Sequence, residues 1–368
     1  MFQIKNLTIM LKPASSLCNK ACIYCFYNDI AASRHTASLG IMPQQTAASI
    51  INNVYTQLTP GDTINFAFQG GEPLLAGLEF FRYFTKIAKT AAPKGVKTNY
   101  SIQTNGLIIN EDWCCLFKEH KFLVGLSMDG YAALHNNNRL DRHGKGTFNR
   151  VMVVKNLLAR FDVPFNILCV LTAEAARRAS KIWGFVMDEK ISHIQFIPCL
   201  EPLDLGATPH SLTSKKFAQF YTTLFPLWQK EAEKGNIIHV RLFDDLASIY
   251  FTGQGATCGI SGRCSPQIIV EADGTVYPCD FYCLDQHKVS NLETNSIKDV
   301  FEAVVASGFM QNRPGIPPTC ANCSYVKWCQ GGCKRMAHAV YGENCGMKVF
   351  LDRHLQSLIE TTRKLIPR

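Results

Sequence analysis

Cys18, Cys22 and Cys25 stand in LCNKACIYCFY with three residues and then two between them. Three thiolates can hold three irons of a 4Fe–4S cube and leave the fourth iron open, whereas ferredoxin-type clusters are closed by four. Zinc also accepts three thiolates with one open position, but zinc motifs seldom carry C-x3-C-x2-C with an aromatic, here Tyr24, just before the last cysteine. An iron–sulfur centre whose open iron binds something other than a fourth cysteine is the chemistry this loop favours.

A second constellation is Gly70-Gly71-Glu72-Pro73. Paired glycines let a ligand approach the backbone closely, and a carboxylate with exposed carbonyls can accept hydrogen bonds from an ammonium group. Taken alone, the segment is a turn that ends a strand. Polar residues recur in Gln103-Thr104-Asn105-Gly106 and in Ser127-Met128-Asp129-Gly130. Further on come Cys258, Cys264, Cys279, Cys283, Cys320, Cys323, Cys329, Cys333 and Cys345. So many cysteines in so short a stretch cannot be core packing. Eight would close two 4Fe–4S clusters and leave one over, and a zinc ribbon is the alternative. Cys114, Cys115, Cys169 and Cys199 lie in apolar contexts and read as packing residues.

These groups need elements to hold them. The chain has 368 residues, enough for two domains or for a barrel with an addition. Strand-like runs at 7–11, 63–68, 99–103, 122–127, 165–171 and 193–197 alternate with helical periods such as 78–90, 148–160 and 173–188. Strands alternating with helices imply parallel βαβ units. About six such units fit before residue 200, which suggests an incomplete (β/α)6 barrel of the TIM type. Polar groups at the C-terminal ends of its strands are where such barrels carry chemistry. A helix is expected over 211–233, a strand over 237–243, a hairpin around Asp273-Gly274 and a closing helix over 349–366. Composition changes after Tyr250, so the domains are expected at 1–250 and 251–368.

The net charge of +9 is spread without a basic block, which argues against nucleic acid as a partner. No apolar run reaches the roughly 18 residues of a membrane span. The opening MFQIKNLTIMLKP lacks a secretory leader pattern, so a cytoplasmic protein is expected. Sixteen cysteines there argue for metal ligation rather than disulfides.

The cysteine loop followed by GGEP resembles the signature of the radical SAM enzymes. The resemblance implies S-adenosylmethionine on the open iron, with Gly70, Gly71 and Glu72 toward its amino group, Ser127 and Arg139 toward its ribose and carboxylate, and Tyr24 against its adenine. CANCSYVKWCQGGC resembles the SPASM extension of peptide-modifying members. That resemblance gives Cys258, Cys264, Cys279 and Cys333 to one auxiliary cluster, and Cys320, Cys323, Cys329 and Cys345 to another, with Cys283 left over. FAFQGGEPLLAG, IQTNG, GLSMDG, IQFIPCLEPL, VYPCDFY and CQGGCKR together resemble the anaerobic sulfatase-maturating enzymes. Membership would imply oxidation of a cysteine or serine in C/S-x-P-x-R of a sulfatase to Cα-formylglycine. It would imply Asp280 as proton acceptor, with Tyr27 and Gln69 positioning the substrate. The implied partners are an unfolded or nascent sulfatase polypeptide and a reducing donor such as flavodoxin or ferredoxin, with the enzyme a monomer and no membrane involved.

Two other readings compete. A thioether-forming SPASM enzyme would usually bring a peptide-recognition extension before the first strand, where only about ten residues stand before that strand ends. A non-catalytic iron–sulfur carrier would need neither an open iron nor GGEP.

Overall fold

The computed structural model describes residues 5–312 and 315–365. They divide into two compact units, each built from several stretches of chain.

The first unit holds the chain up to Ser127 together with Leu140–Phe165 and Pro266–Asn312. Strand Asn6–Leu11 buries alternate residues, Leu7, Ile9 and Leu11, and strand Thr63–Phe68 buries Ile64, Phe66 and Phe68. This is the period-two pattern of a sheet whose one face is a core. The two strands pair in parallel, and Lys97–Thr104 and Leu123–Ser127 continue the sheet. Helix Leu78–Ala91 lays Phe80, Phe81, Phe84 and Ala88 on that face. Phe68 meets Phe81 and Phe84 edge-on, with ring centroids 4.9 and 5.0 Å apart, a favourable geometry for aromatic pairs.

On its other edge Asn6–Leu11 pairs in parallel with Ile268–Val270, which turns back through Thr275–Tyr277 and on to Ser290–Asn291. The hairpin expected around Asp273-Gly274 is therefore present, with Gly274 at φ +80°. The registers matter more than the strands. Leu11 stands opposite both Phe68 and Val270. Lys12, Gln69 and Glu271, each one residue further on, therefore emerge side by side at the C-terminal edge of the sheet.

The second unit holds Met128–Arg139, Asn166–Ser265 and the described residues after 314. Strand Phe165–Leu171 pairs in parallel with His193–Pro198, which pairs with the short His239–Val240. The strand expected over 237–243 is thus only two residues long, because helix Arg241–Thr252 takes over. Leu242, Phe243, Leu246 and Ala247 fall on one face at helical spacing, and Gly253 closes the helix in the left-handed conformation. The helix expected from Ser211 begins at Ser214, where the Thr213 hydroxyl accepts from the Lys216 N–H. It packs with the closing helix Gly346–Leu365 around Phe225, Phe243 and Phe350. Residue 366 of the expected closing helix lies outside the described residues. The stretch before Ala179 is a 3-10 turn at Ala175–Arg178, so the α-helix expected over 173–188 covers Ala179–Asp188.

Cys114, Cys169 and Cys199 are buried as expected, but Cys115 is exposed. In helix Glu111–Glu119 the buried residues are Trp113, Cys114, Leu116 and Phe117, which turns position 115 to the solvent side.

Candidate functional site

The cysteine loop follows strand Asn6–Leu11, and Cys25 directly precedes helix Phe26–Ala32. The Cys25 N–H donates to the Cys22 carbonyl at 3.2 Å, which folds the segment back on itself. Burial pushes the Cys18 thiol up to about 11, opposed by the Lys20 N–H on its sulfur and reinforced by the charges of Glu72, Cys22 and Cys25. Three neighbouring thiols, with Cys18 disfavoured as a free thiolate by its burial, are a donor set that fits a cationic cluster. Tyr24 lies half-buried in the turn between Cys22 and Cys25.

The GGEP segment lies directly against this loop. The Gly71 N–H donates to Ser15 at 2.9 Å and the Glu72 N–H to Leu17 at 2.7 Å. A Cβ on Gly71 would stand 2.1 Å from the Leu17 carbonyl oxygen, and one on Gly70, at φ +121°, 2.8 Å from that of Ser15. Both glycines thus let two stretches of backbone stack. Glu72 is 1% exposed, and its carboxylate accepts from Leu74 N–H at 3.1 Å, Thr104 Oγ1 at 2.7 Å and Asn105 N–H at 2.7 Å. Burial raises this carboxyl, and those hydrogen bonds pull it back down. Asn105 also donates to Asn19 at 2.8 Å and approaches Cys18 Sγ at 3.8 Å, so one buried carboxylate ties the ends of two strands to the cysteine loop.

Ser127 is the buried last residue of its strand. In the second unit, Arg139 pairs through Nε with Asp129 at 3.0 Å, and Asp129 accepts from the Val170 N–H at 3.0 Å.

Asp280 begins a short 3-10 turn after Cys279, and its carboxylate is held from several sides. The Tyr27 hydroxyl donates to Oδ2 at 2.7 Å, Gln69 Nε2 approaches the same oxygen at 3.5 Å, and Lys12 Nζ pairs with Oδ1 at 2.8 Å. The three residues that the resemblance groups here, Asp280, Tyr27 and Gln69, do come together. Lys12 was not anticipated. A lysine after an apolar strand reads as an exposed strand end, and only the pairing of distant strands buries it. Arg34 and Glu271, an ion pair at 2.8 Å beside this group, are likewise invisible in the local sequence.

Among the C-terminal cysteines, burial pushes Cys329 up to about 11, with the charges of Cys345, Cys320 and Cys323 adding to it. Burial also raises Cys345, and Cys320 and Cys323 raise it further. These four are mutual neighbours, which fits a four-thiolate donor set. Cys333 is raised by burial first, and the charge of Cys264 adds to this. Its N–H donates to the Gly259 carbonyl at 3.2 Å, which draws in the segment of Cys258. Gly262 and Gly332 make this packing possible: added Cβ atoms would lie 1.9 Å from the Cys329 oxygen and 1.8 Å from the Tyr341 ring. Cys279 lies in the first unit, just after strand Thr275–Tyr277. Among the described residues no group of three His, Cys, Asp or Glu side chains is already set to hold a metal ion. The donor chemistry nonetheless fits iron–sulfur clusters.

The radical SAM superfamily profile matches residues 13–174, and that of an iron–sulfur cluster-binding (SPASM) domain matches 258–324. The cysteine-type anaerobic sulfatase-maturating enzyme of Clostridium novyi is 39% identical over 90% of this chain and 89% of its own. That of Clostridium perfringens (strain 13) is 40% identical over 89% of each. A serine-type counterpart from Klebsiella aerogenes is 31% identical over 92% of this chain and 82% of its own. The solved structure described as native anSMEcpe with bound AdoMet and Cp18Cys peptide superposes with a TM-score of 0.90 at 36% identity. It covers 98% of this chain and 100% of that one.

Proposed function

Since the chain belongs to the anaerobic sulfatase-maturating enzymes of the radical SAM superfamily, we propose that it converts a cysteine-type sulfatase target to Cα-formylglycine, with Asp280 as proton acceptor. Formylglycine generation with iron–sulfur clusters and S-adenosylmethionine is the family's activity and this chain's. The preference for cysteine rests on the higher identity to cysteine-type relatives, 39 and 40% against 31%.

When bound, S-adenosylmethionine on the cluster of Cys18, Cys22 and Cys25 supplies hydrogen-atom abstraction from the target Cβ, and two auxiliary clusters supply an electron sink. The residues of this chain do the rest. Gly70, Gly71 and Glu72 shape the seat for the methionyl amino group, Ser127 and Arg139 bind the ribose and carboxylate, and Tyr24 lies against the adenine. Cys258, Cys264, Cys279 and Cys333 are the donors for one auxiliary cluster, and Cys320, Cys323, Cys329 and Cys345 for the other. Asp280 takes the proton of the target S–H or O–H, and Tyr27 and Gln69 orient the target beside it. The observation that carries this reading is the Asp280 carboxylate held by Tyr27 at 2.7 Å and Lys12 at 2.8 Å, one residue after a proposed cluster ligand.

The substrate is read as an unfolded or nascent sulfatase polypeptide, the donor as a flavodoxin or ferredoxin, and the enzyme as a cytoplasmic monomer. Among the described residues no helix is long and apolar enough to cross a membrane. The domains are read as 1–250 and 251–368, a division by sequence that differs from the interleaved compact units of the fold. Anaerobic incubation with a C-x-P-x-R peptide and its serine twin tests the proposal. Mass spectrometry should report formylglycine from the cysteine peptide at a clearly higher rate. Equal rates, or a faster serine peptide, would remove the cysteine preference.

A further inference from the structure

Lys12 is 2% exposed, yet it carries an ammonium group. Its Nζ pairs with Asp280 Oδ1 at 2.8 Å, donates to Cys283 Sγ at 3.2 Å and lies 4.8 Å from the centre of the Tyr27 ring. Burial would strip the proton from such a group, but the carboxylates of Asp280 and Glu271 outweigh it and raise Lys12 above its ordinary value. Arg34 balances the remaining carboxylate, pairing with Glu271 at 2.8 Å and donating through Nε to the Cys283 carbonyl. Two cations thus face two carboxylates around one sulfur.

A carboxylate can accept about four hydrogen bonds. Here Lys12 occupies Oδ1 and Tyr27 occupies Oδ2, with Gln69 at 3.5 Å too long to count as a full bond. Asp280 is therefore clamped at both oxygens and keeps acceptor capacity for a substrate. Cys283 is 0% exposed, with Lys12 on its sulfur and its own S–H directed to the Cys279 carbonyl at 3.6 Å. Its sulfur is already engaged within the protein.

We infer that Lys12 is the positioning residue of Asp280, and that Cys283 seats the Lys12 ammonium instead of binding iron. The inference rests on Asp280 being the proton acceptor. Pinning Oδ1 fixes the carboxylate so that its remaining lone pairs stay aimed at the target heteroatom. Without the ammonium the carboxylate turns on Tyr27 alone, and the target proton is lost less often per target radical formed.

The test uses full-length, anaerobically reconstituted Lys12→Met, Lys12→Arg and Cys283→Ala proteins. Iron content, affinity for a C-x-P-x-R peptide, and 5′-deoxyadenosine formed per formylglycine are measured. Cys283→Ala should keep about twelve irons, three cubes of four; a loss of about four would make Cys283 a ligand and overturn its assignment. Lys12→Met should keep its iron and bind peptide within about twofold of wild type. Its kcat for formylglycine should fall about 10-fold or more with a smaller change in KM, and its 5′-deoxyadenosine per product should rise. Lys12→Arg should restore most of the coupling. A wild-type ratio in Lys12→Met overturns the inference, and so does an Arg variant as uncoupled as Met with its iron intact. Should Lys12→Met fail to hold iron, Lys12→Gln replaces it. If neither neutral variant holds iron while Arg does, the charge is structural and the positioning role falls. Asp280→Asn separates the two readings: normal product there removes the proton acceptor itself. Loss there with normal coupling in Lys12→Met removes only the role of Lys12.

Discussion

The Glu72 N–H donates to the carbonyl of Leu17, the residue before Cys18, at 2.7 Å. The proposed cofactor seat and the proposed cluster loop are thereby one piece of backbone, stacked through Gly71. An added methyl at Gly71 would sit 2.1 Å from the same carbonyl oxygen, which is backbone and cannot swing aside. Gly71→Ala should therefore displace the cysteine loop at a cost of about 1–3 kcal/mol. The expected result is loss of S-adenosylmethionine cleavage, with iron in the C-terminal clusters retained. Normal cleavage by this variant would show that the loop tolerates displacement.

Replacing Cys18, Cys22 and Cys25 by alanine should leave two cubes, about eight irons, and abolish S-adenosylmethionine cleavage. Iron analysis and chromatography of 5′-deoxyadenosine check both. Cleavage surviving the triple substitution would move the open cluster elsewhere.

Asp280→Asn preserves the shape of the side chain and removes its basicity. The variant should bind peptide and cleave S-adenosylmethionine while formylglycine formation falls about 100-fold or more. Mass spectrometry of the peptide, beside the 5′-deoxyadenosine yield, reports the split. Near-normal product with all clusters intact would assign the proton to another group.

His193 and His239 stand opposite one another on paired strands, with ring centroids 4.5 Å apart and planes 13° from parallel. Burial lowers His193 below its ordinary 6.5, and a neighbouring His239 charge lowers it further. The folded chain then holds this proton less tightly than the unfolded chain, so stability rises with pH across this window. The contribution is fully present above about 6.5 and fades as pH falls through that value toward the lower folded one. Denaturant midpoints should drop between about pH 7 and pH 5, and His193→Gln should flatten that slope. An unchanged slope in the variant would mean that other groups carry the dependence.

Much of this was legible in the sequence for a physical reason. Strands such as NLTIML and TINFAF alternate with period two, and a run such as FNRVMVVKNLLAR repeats at helical spacing, so local chemistry dictates local form. The loop of Cys18, Cys22 and Cys25 stands out by its C-x3-C-x2-C spacing, whereas the division of the later cysteines into two sets comes from resemblance alone. The run at 237–243 misled because its apolar residues suit a strand as well as the helix that tertiary packing selects. Lys12 was illegible because its burial depends on Val270 lying beside Leu11, a pairing that nothing near Lys12 announces. The role of Glu72 shared this obscurity: its three donors come from Leu74, Thr104 and Asn105, and only the fold brings the last two to it.

The parallel pairing of Ile9–Leu11 with Ile268–Val270 also sets an order of events on the ribosome. The first strand is made early and its edge partner late. Until the later segment emerges, Asn6–Leu11 keeps an open backbone edge, a template for wrong partners. Lys12 meanwhile has no carboxylate to pair with, so its burial must wait. The nascent chain therefore cannot seal the site around Asp280 until the hairpin arrives. This region can assemble only after most of the first unit has been synthesised, and truncation before residue 266 should yield an aggregation-prone fragment rather than a minimal enzyme.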